Sequence, residues 1–100
     1  MAWPEDIRVP LRQPFEVALE ETSTSGYRWR VSAVPDGLEL VESDLDPPSR
    51  ASPVGASGRR RFVFRALRPG AFTLTFDLQR EWETEPLQHR IVRVEVDKPD

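Results

Sequence analysis

The chain has 100 residues, no cysteine and a formal net charge of −3, with acidic and basic residues mixed along its length. The length suits a single domain over residues 1–100 with one core, and the lack of cysteine excludes disulfides, a cysteine nucleophile and cysteine-ligated metals. The mixed charge gives no broad basic field for nucleic acid. No apolar run is long enough for a membrane helix, and the first residues do not resemble a secretory signal, so the compartment stays open.

Five segments alternate apolar and polar positions, which is the pattern of a strand with one face in the core. Their inward positions, in chain order, are Phe15, Val17 and Leu19; Tyr27, Trp29 and Val31; Phe62, Phe64 and Ala66; Phe72, Leu74, Phe76 and Leu78; and Val92, Val94 and Val96. A shorter apolar run at 38–41 predicts a further strand. We find no long segment with helical spacing, so helices should be minor.

Two segments combine proline with glycine and predict tight turns: Pro35-Asp36-Gly37 and Arg68-Pro69-Gly70. Proline presets φ and glycine accepts positive φ, so we expect these turns to close hairpins. About seven to eight short strands with regular turn signals predict an all-β, immunoglobulin-like β-sandwich. Trp29 would be its core indole, and aromatic packing would replace the disulfide of an antibody domain through Phe15, Phe62, Phe64, Phe72 and Phe76.

Residues 44–58 form the longest segment without a strand pattern, and they are rich in proline, serine and glycine. Such a segment does not suit a central strand. Because loops longer than roughly a dozen residues in a compact domain are usually functional or disordered, we predict that this segment contacts a partner.

Residues 22–27, 54–58 and 80–82 each join two predicted strands and suit contact with a partner. Hydroxyl groups in the first can donate and accept hydrogen bonds in a narrow cleft. Glycines in the second lack Cβ, so the backbone can approach another surface closely, and the indole in the third offers about 150 to 250 Å² of apolar area. The predicted partner-binding residues are Thr22, Ser23, Thr24, Ser25, Gly26, Gly55, Ala56, Ser57, Gly58, Arg80, Glu81 and Trp82.

Other conspicuous residues have simpler interpretations. Tyr27 and Trp29 alternate on a strand after a turn, which is typical of core residues. The arginines at 59–61 could bind nucleic acid, but such runs more often mark a solvated edge that resists strand pairing. His89 is the only histidine and fits neither a zinc site nor a catalytic triad, so we expect it at the surface. We predict no enzyme activity, no metal and no cofactor.

The pattern Thr24-Ser25-Gly26-Tyr27-x-Trp29, the glycine-bearing segment Gly55 to Gly58 and Arg80-x-Trp82 together resemble the chagasin family of cysteine-protease inhibitors, peptidase inhibitor family I42. The resemblance implies an immunoglobulin-like domain whose three loops plug the cleft of papain-like (C1 family) cysteine proteases. It also implies that Thr24 contacts the catalytic histidine, that Gly55 to Gly58 lies across the catalytic cysteine, and that Trp82 packs on a tryptophan of the enzyme.

Two departures from the family pattern bear most on function. Thr22-Ser23 stands where Asn-Pro is usual, and Glu81 stands where the family has the proline of Arg-Pro-Trp. These departures leave open an alternative, an immunoglobulin-like adhesion or assembly module without inhibitory activity. In either case we expect a monomer when free.

Overall fold

The computed structural model describes residues 5–22, 25–46 and 58–98. These residues form seven strands, which are β1 (Glu5–Val9), β2 (Pro14–Glu21), β3 (Arg28–Ala33), β4 (Leu38–Asp46), β5 (Gly58–Ala66), β6 (Gly70–Gln79) and β7 (Gln88–Val96). The prediction of an all-β sandwich is confirmed. Within these ranges no helix is long and apolar enough to cross a membrane.

The strands form two sheets. One has four strands in the order β1-β7-β6-β3, and the other has three in the order β2-β5-β4. All neighbours are antiparallel except β1 and β7, which run parallel. Consecutive strands therefore alternate between sheets at several connections, as in a Greek-key sandwich.

The core lies between the two sheets and follows the alternation in the sequence. Val92, Val94 and Val96 are buried while the residues between them are exposed. The rings of Phe62 and Phe76 lie 5.1 Å apart at their centroids and join the two sheets. Trp29 is only 4% exposed, so the prediction of a core indole is confirmed.

Strand β1 was not predicted from the sequence. It is short, and its apolar positions Ile7 and Val9 are flanked by charged residues and by Pro10. Its pairing with β7 brings together residues more than eighty positions apart, opposing Ile7 to Val94 and Val9 to Val96. A local pattern carries little information about such a pairing.

The prediction that both proline–glycine turns close hairpins is wrong. Residues 34–37 lead from β3 in one sheet to β4 in the other, and residues 67–69 lead from β5 to β6 across the sandwich. The conformations agree with the expectation, since Gly37 and Gly70 have φ of 109° and 135°. Turn chemistry fixes the reversal of the chain but not the sheet to which the next strand belongs.

Two further expectations need correction. The segment predicted as a loop from residue 44 begins later, because β4 continues to Asp46 as an edge strand paired with β5.

The arginines at 59–61 do not mark a sheet edge, because β5 is the central strand of its sheet. Carboxylates on both neighbouring strands make this possible: Arg61 binds Glu16 of β2 at 2.8 Å and Asp44 of β4 at 3.4 Å. The hydrogen bond to Glu16, followed by the charge of Asp44, raises the pKa of Arg61 above its ordinary value.

Candidate functional site

The pairing in the three-stranded sheet places two chain connections at the same end. Glu21, the last residue of β2, lies opposite Gly58, the first residue of β5. Asp46, the last residue of β4, lies opposite Arg59. The chain therefore leaves β2, leaves β4 and enters β5 at one end of the sandwich.

The four-stranded sheet adds a third connection at this end, the one from β6 to β7. Arg28 at the start of β3 lies opposite Gln79 at the end of β6, and Leu78 lies opposite Gln88 at the start of β7. Residues 22–27 join the end of β2 to the start of β3, so the two sheets present these termini at the same end. We call it the loop-bearing end. The opposite end, which carries Pro35-Asp36-Gly37 and Arg68-Pro69-Gly70, is called the turn end.

Ser25 and Gly26 form a compact turn in the connection from β2 to β3. The Ser25 N–H and hydroxyl both donate to the Thr22 carbonyl, at 3.1 and 2.7 Å, and the Tyr27 N–H donates to the Ser25 hydroxyl at 3.1 Å. Gly26 has a φ of 80°, which favours glycine. The turn is thus held by the Ser25 hydroxyl together with one backbone hydrogen bond. Ser23 and Thr24 lie outside the described residues.

The connection from β6 to β7 exposes the indole that the sequence singles out. Trp82 is 74% exposed, the largest fraction among the exposed large apolar side chains described. The backbone beneath it forms a turn in which the Glu83 N–H donates to the Arg80 carbonyl at 3.1 Å, and the Gln79 side chain donates to the Glu83 carbonyl at 2.9 Å. Glu81 is also exposed. The side chain at 82 is therefore presented to solvent on a hydrogen-bonded turn.

Arg80 connects these two loops. Its Nε donates to the Ser25 carbonyl at 3.3 Å, and its guanidinium carbon lies 4.3 Å from the centroid of the Tyr27 ring and 5.8 Å from that of Trp82. A Cβ added at Gly26 would lie 4.0 Å from the Trp82 ring. The first and third predicted contact segments therefore touch each other.

The middle segment is only partly described. Gly58 is buried at the start of β5, so it belongs to the sheet and not to an exposed contact surface. Gly55, Ala56 and Ser57 lie outside the described residues. The flanking residues Asp46 and Gly58 place the two ends of this connection at the loop-bearing end.

Beneath the loops lies a buried ion pair that sequence analysis missed. Glu21 is 3% exposed and accepts two hydrogen bonds from Arg60, at 3.2 Å from Nε and 2.7 Å from Nη2. It also accepts the Trp29 backbone N–H at 2.7 Å. The Trp29 indole N–H donates to the Glu20 carbonyl at 2.8 Å. This Glu21–Arg60 pair joins the end of β2 to the starts of β3 and β5.

The signal for this pair is present in the sequence. Glu21 continues the inward alternation of Phe15, Val17 and Leu19, and Arg60 continues that of Phe62 and Phe64. Opposite charges at the ends of two inward-facing series can pair across neighbouring strands. The pairing becomes visible only once β2 and β5 are known to be adjacent.

The family model of the chagasin family peptidase inhibitors, I42, matches residues 8–96. The chain belongs to the chagasin family. The family consists of peptidase inhibitors, so the resemblance found in the sequence and the prediction that the chain is not an enzyme are both confirmed. Membership also favours inhibition over the adhesion-module alternative.

Solved structures agree on the chagasin-like fold. The cysteine protease inhibitor EhICP2 from Entamoeba histolytica has a TM-score of 0.78 at 21% identity, covering 93% of this chain and 86% of its own. Amebosin has a TM-score of 0.73 at 18% identity, with 92% and 88% covered. PbICP-C in complex with falcipain-2 has a TM-score of 0.62 at 19% identity, with 93% and 88% covered. A comparison with the sequences of curated proteins gave no significant match.

Proposed function

We propose that this chagasin-family chain inhibits papain-like cysteine proteases reversibly, by filling their active-site cleft with the loops of its loop-bearing end. The observation that carries the proposal is the exposed Trp82 next to the Ser25–Gly26 turn, with Arg80 lying between them. The PbICP-C structure, a chagasin-like fold in complex with falcipain-2, supports the choice of partner. Inhibition would involve occlusion alone, with no covalent bond to the enzyme.

The geometry gives Trp82 the properties of an interface anchor. An indole that is 74% exposed in the free protein can bury much of its apolar surface on binding. Its backbone turn is already hydrogen bonded, so little backbone conformational entropy is lost when the turn is immobilised on binding. Truncating such aromatic anchors typically costs about 2 kcal/mol or more of binding free energy.

The remaining contacts follow from family membership. We assign Thr24 to contact with the catalytic histidine, and Gly55, Ala56 and Ser57 to contact across the catalytic cysteine. We assign Thr22, Ser23, Ser25, Gly26 and Glu81 to the rim of the same surface. For Arg80 we propose a bracing role between two loops, because its guanidinium is engaged by Ser25, Tyr27 and Trp82 within the molecule. Gly58, which is buried, would position the middle loop without touching the enzyme.

A titration of papain with the protein tests the proposal. We expect stoichiometric, reversible inhibition, with Trp82→Ala raising the inhibition constant by roughly thirtyfold. Leu67→Ala is the matched control, since Leu67 is an exposed apolar residue at the turn end and its truncation should leave inhibition unchanged. Absence of inhibition of papain and of falcipain-2 at micromolar protein would refute the proposed function. Equal losses in the two variants would refute the role of the loop-bearing end.

A further inference from the structure

A cleft of about 470 Å³ opens beside the edge strand β3 and is rich in arginine. Four arginines line it, Arg28, Arg30, Arg60 and Arg80, and Glu81 is the single acidic residue among its described lining residues. The whole chain has a net charge of −3, so the local charge of this cleft is opposite in sign to the net charge of the protein.

The four arginines do not have equivalent partners. Arg60 is neutralised by Glu21 at 2.7 Å, and Arg80 donates to a backbone carbonyl and lies against two rings. Arg28 and Arg30 are exposed, and neither forms an ion pair with another residue in the described ranges. Their charge is therefore open to an incoming anionic group.

The carboxylate opposite Arg30 on the neighbouring strand is already engaged. Asp77 lies opposite Arg30 in the register of β3 and β6, but its carboxylate contacts Nδ1 of His89 at 2.6 Å. Only 15% of the Asp77 side chain is exposed, against 61% for His89. The carboxylate thus faces β7, which leaves the guanidinium groups on β3 as the dominant charge of this edge.

The cleft is continuous with the proposed protease-binding loops. Arg28 directly follows residues 22–27, and it lies opposite Gln79, the residue before Arg80. Glu81, next to Trp82, lines the cleft as well. Arg28 and Arg30 therefore lie in a cleft next to the surface that a protease would cover on burying Trp82.

We propose that this arginine cleft receives an acidic segment on the rim of the target protease, which speeds association and selects proteases with carboxylates at that position. The inference rests on the proposed function and adds a second contact to it. Complementary charge beside an interface acts mainly on the association rate, and its effect falls as salt screens it. Two exposed guanidinium groups on a rigid strand present a fixed target for carboxylates.

The test compares Arg28→Glu/Arg30→Glu with wild type against a papain-like protease that has carboxylates on its cleft rim. At low salt we expect the association rate to fall about tenfold or more, with a smaller change in the dissociation rate and a weaker salt dependence. The same protease with its rim carboxylates changed to amides should associate equally slowly with wild type and with the double variant. Arg93→Glu, on an exposed face of β7 near the middle of the sheet, is the control and should stay within about twofold of wild type.

The outcomes separate this inference from the proposed function. If wild type inhibits neither papain nor the rim-carboxylate protease, the proposed function fails. If wild type inhibits, but the double variant associates at the wild-type rate and with the wild-type salt dependence, only the cleft assignment fails. Binding of a single-stranded oligonucleotide to the free protein at physiological salt, lost in the double variant but kept in Arg93→Glu, would assign the cleft to nucleic acid instead and overturn it.

Discussion

At the turn end backbone hydrogen bonds join one connection to another, with an exposed Arg68–Asp36 ion pair beside them. At the loop-bearing end the connections have their own backbone turns, but side chains join them to each other and to the sheets. The Leu67 N–H donates to the Gly37 carbonyl at 2.8 Å, and the Arg12 N–H donates to the Ala66 carbonyl at 3.0 Å. The other end depends on the Glu21–Arg60 pair. Backbone hydrogen bonds between two connections fix their conformation and leave little of their surface free for a partner. Side chains that support a loop from below leave the outer residues of that loop free to contact a partner.

Among changes to charged residues, the largest expected effect concerns the buried ion pair. Glu21→Ala would leave the Arg60 guanidinium, whose side chain is only 16% exposed, and the Trp29 N–H without their acceptor. Breaking a buried pair from one side costs about 3 to 5 kcal/mol of unfolding free energy, and we expect about 3 because Arg60 retains some contact with water. Denaturant unfolding measures it. Glu16→Ala, which removes an exposed pair with Arg61, should cost less than about 1 kcal/mol, and equal costs would contradict the comparison.

The next largest effect on stability is expected from substituting two glycines, Gly37 at the turn end and Gly26 at the loop-bearing end. A Cβ at Gly37 would lie 2.5 Å from the Phe72 ring, at a φ of 109°. A Cβ at Gly26 would meet nothing closer than 3.7 Å, at a φ of 80°. We expect Gly37→Ala to lower the unfolding free energy by about 2 to 3 kcal/mol through overpacking and backbone strain. Gly26→Ala should lower it by about 1 kcal/mol through strain alone.

Inhibition should respond to these glycines in the opposite order. Gly37→Ala leaves the loop-bearing end untouched, so the folded fraction should inhibit papain as wild type does. Gly26→Ala shifts the turn that contacts Arg80 and Trp82, so the inhibition constant should rise severalfold. Titration of active inhibitor concentration together with unfolding curves separates the two effects. A loss of inhibition in Gly37→Ala beyond its unfolded fraction would show that the two ends are coupled.

The residues that sequence analysis placed correctly are those whose signal is local. Alternation along Phe72, Leu74 and Phe76 depends only on the strand itself, and Gly26 follows from the chemistry of a single turn. The pairing of Glu21 with Arg60 depends on which strands are neighbours, and the hairpin error at Gly37 has the same origin. Strand adjacency is decided by the packing of the whole core, which local patterns do not encode.

Arg80 tests whether the brace between two loops matters for binding. Arg80→Lys keeps the positive charge but loses the planar group that lies over Tyr27 at 4.3 Å. We expect about 1 kcal/mol or less of stability to be lost and the inhibition constant to rise severalfold, because residues 22–27 and 80–82 would no longer fix each other. Arg65→Lys, at an exposed pair with Glu39, should change neither quantity. Unchanged inhibition in Arg80→Lys would show that the loops are positioned independently.

The smallest expected effect is on the stability of Trp82→Ala, and it is informative because it should be near zero. An indole that is 74% exposed contributes little apolar burial to the free protein, so the unfolding free energy should stay within about 0.5 kcal/mol of wild type. Trp29 lies at the same end but is 4% exposed, and Trp29→Ala should cost about 3 to 5 kcal/mol. A loss above 1 kcal/mol in Trp82→Ala would mean that the indole is held by the domain's own side chains. The loop-bearing end would then use Trp82 for packing. Weaker inhibition by Trp82→Ala would in that case no longer indicate a contact with the protease.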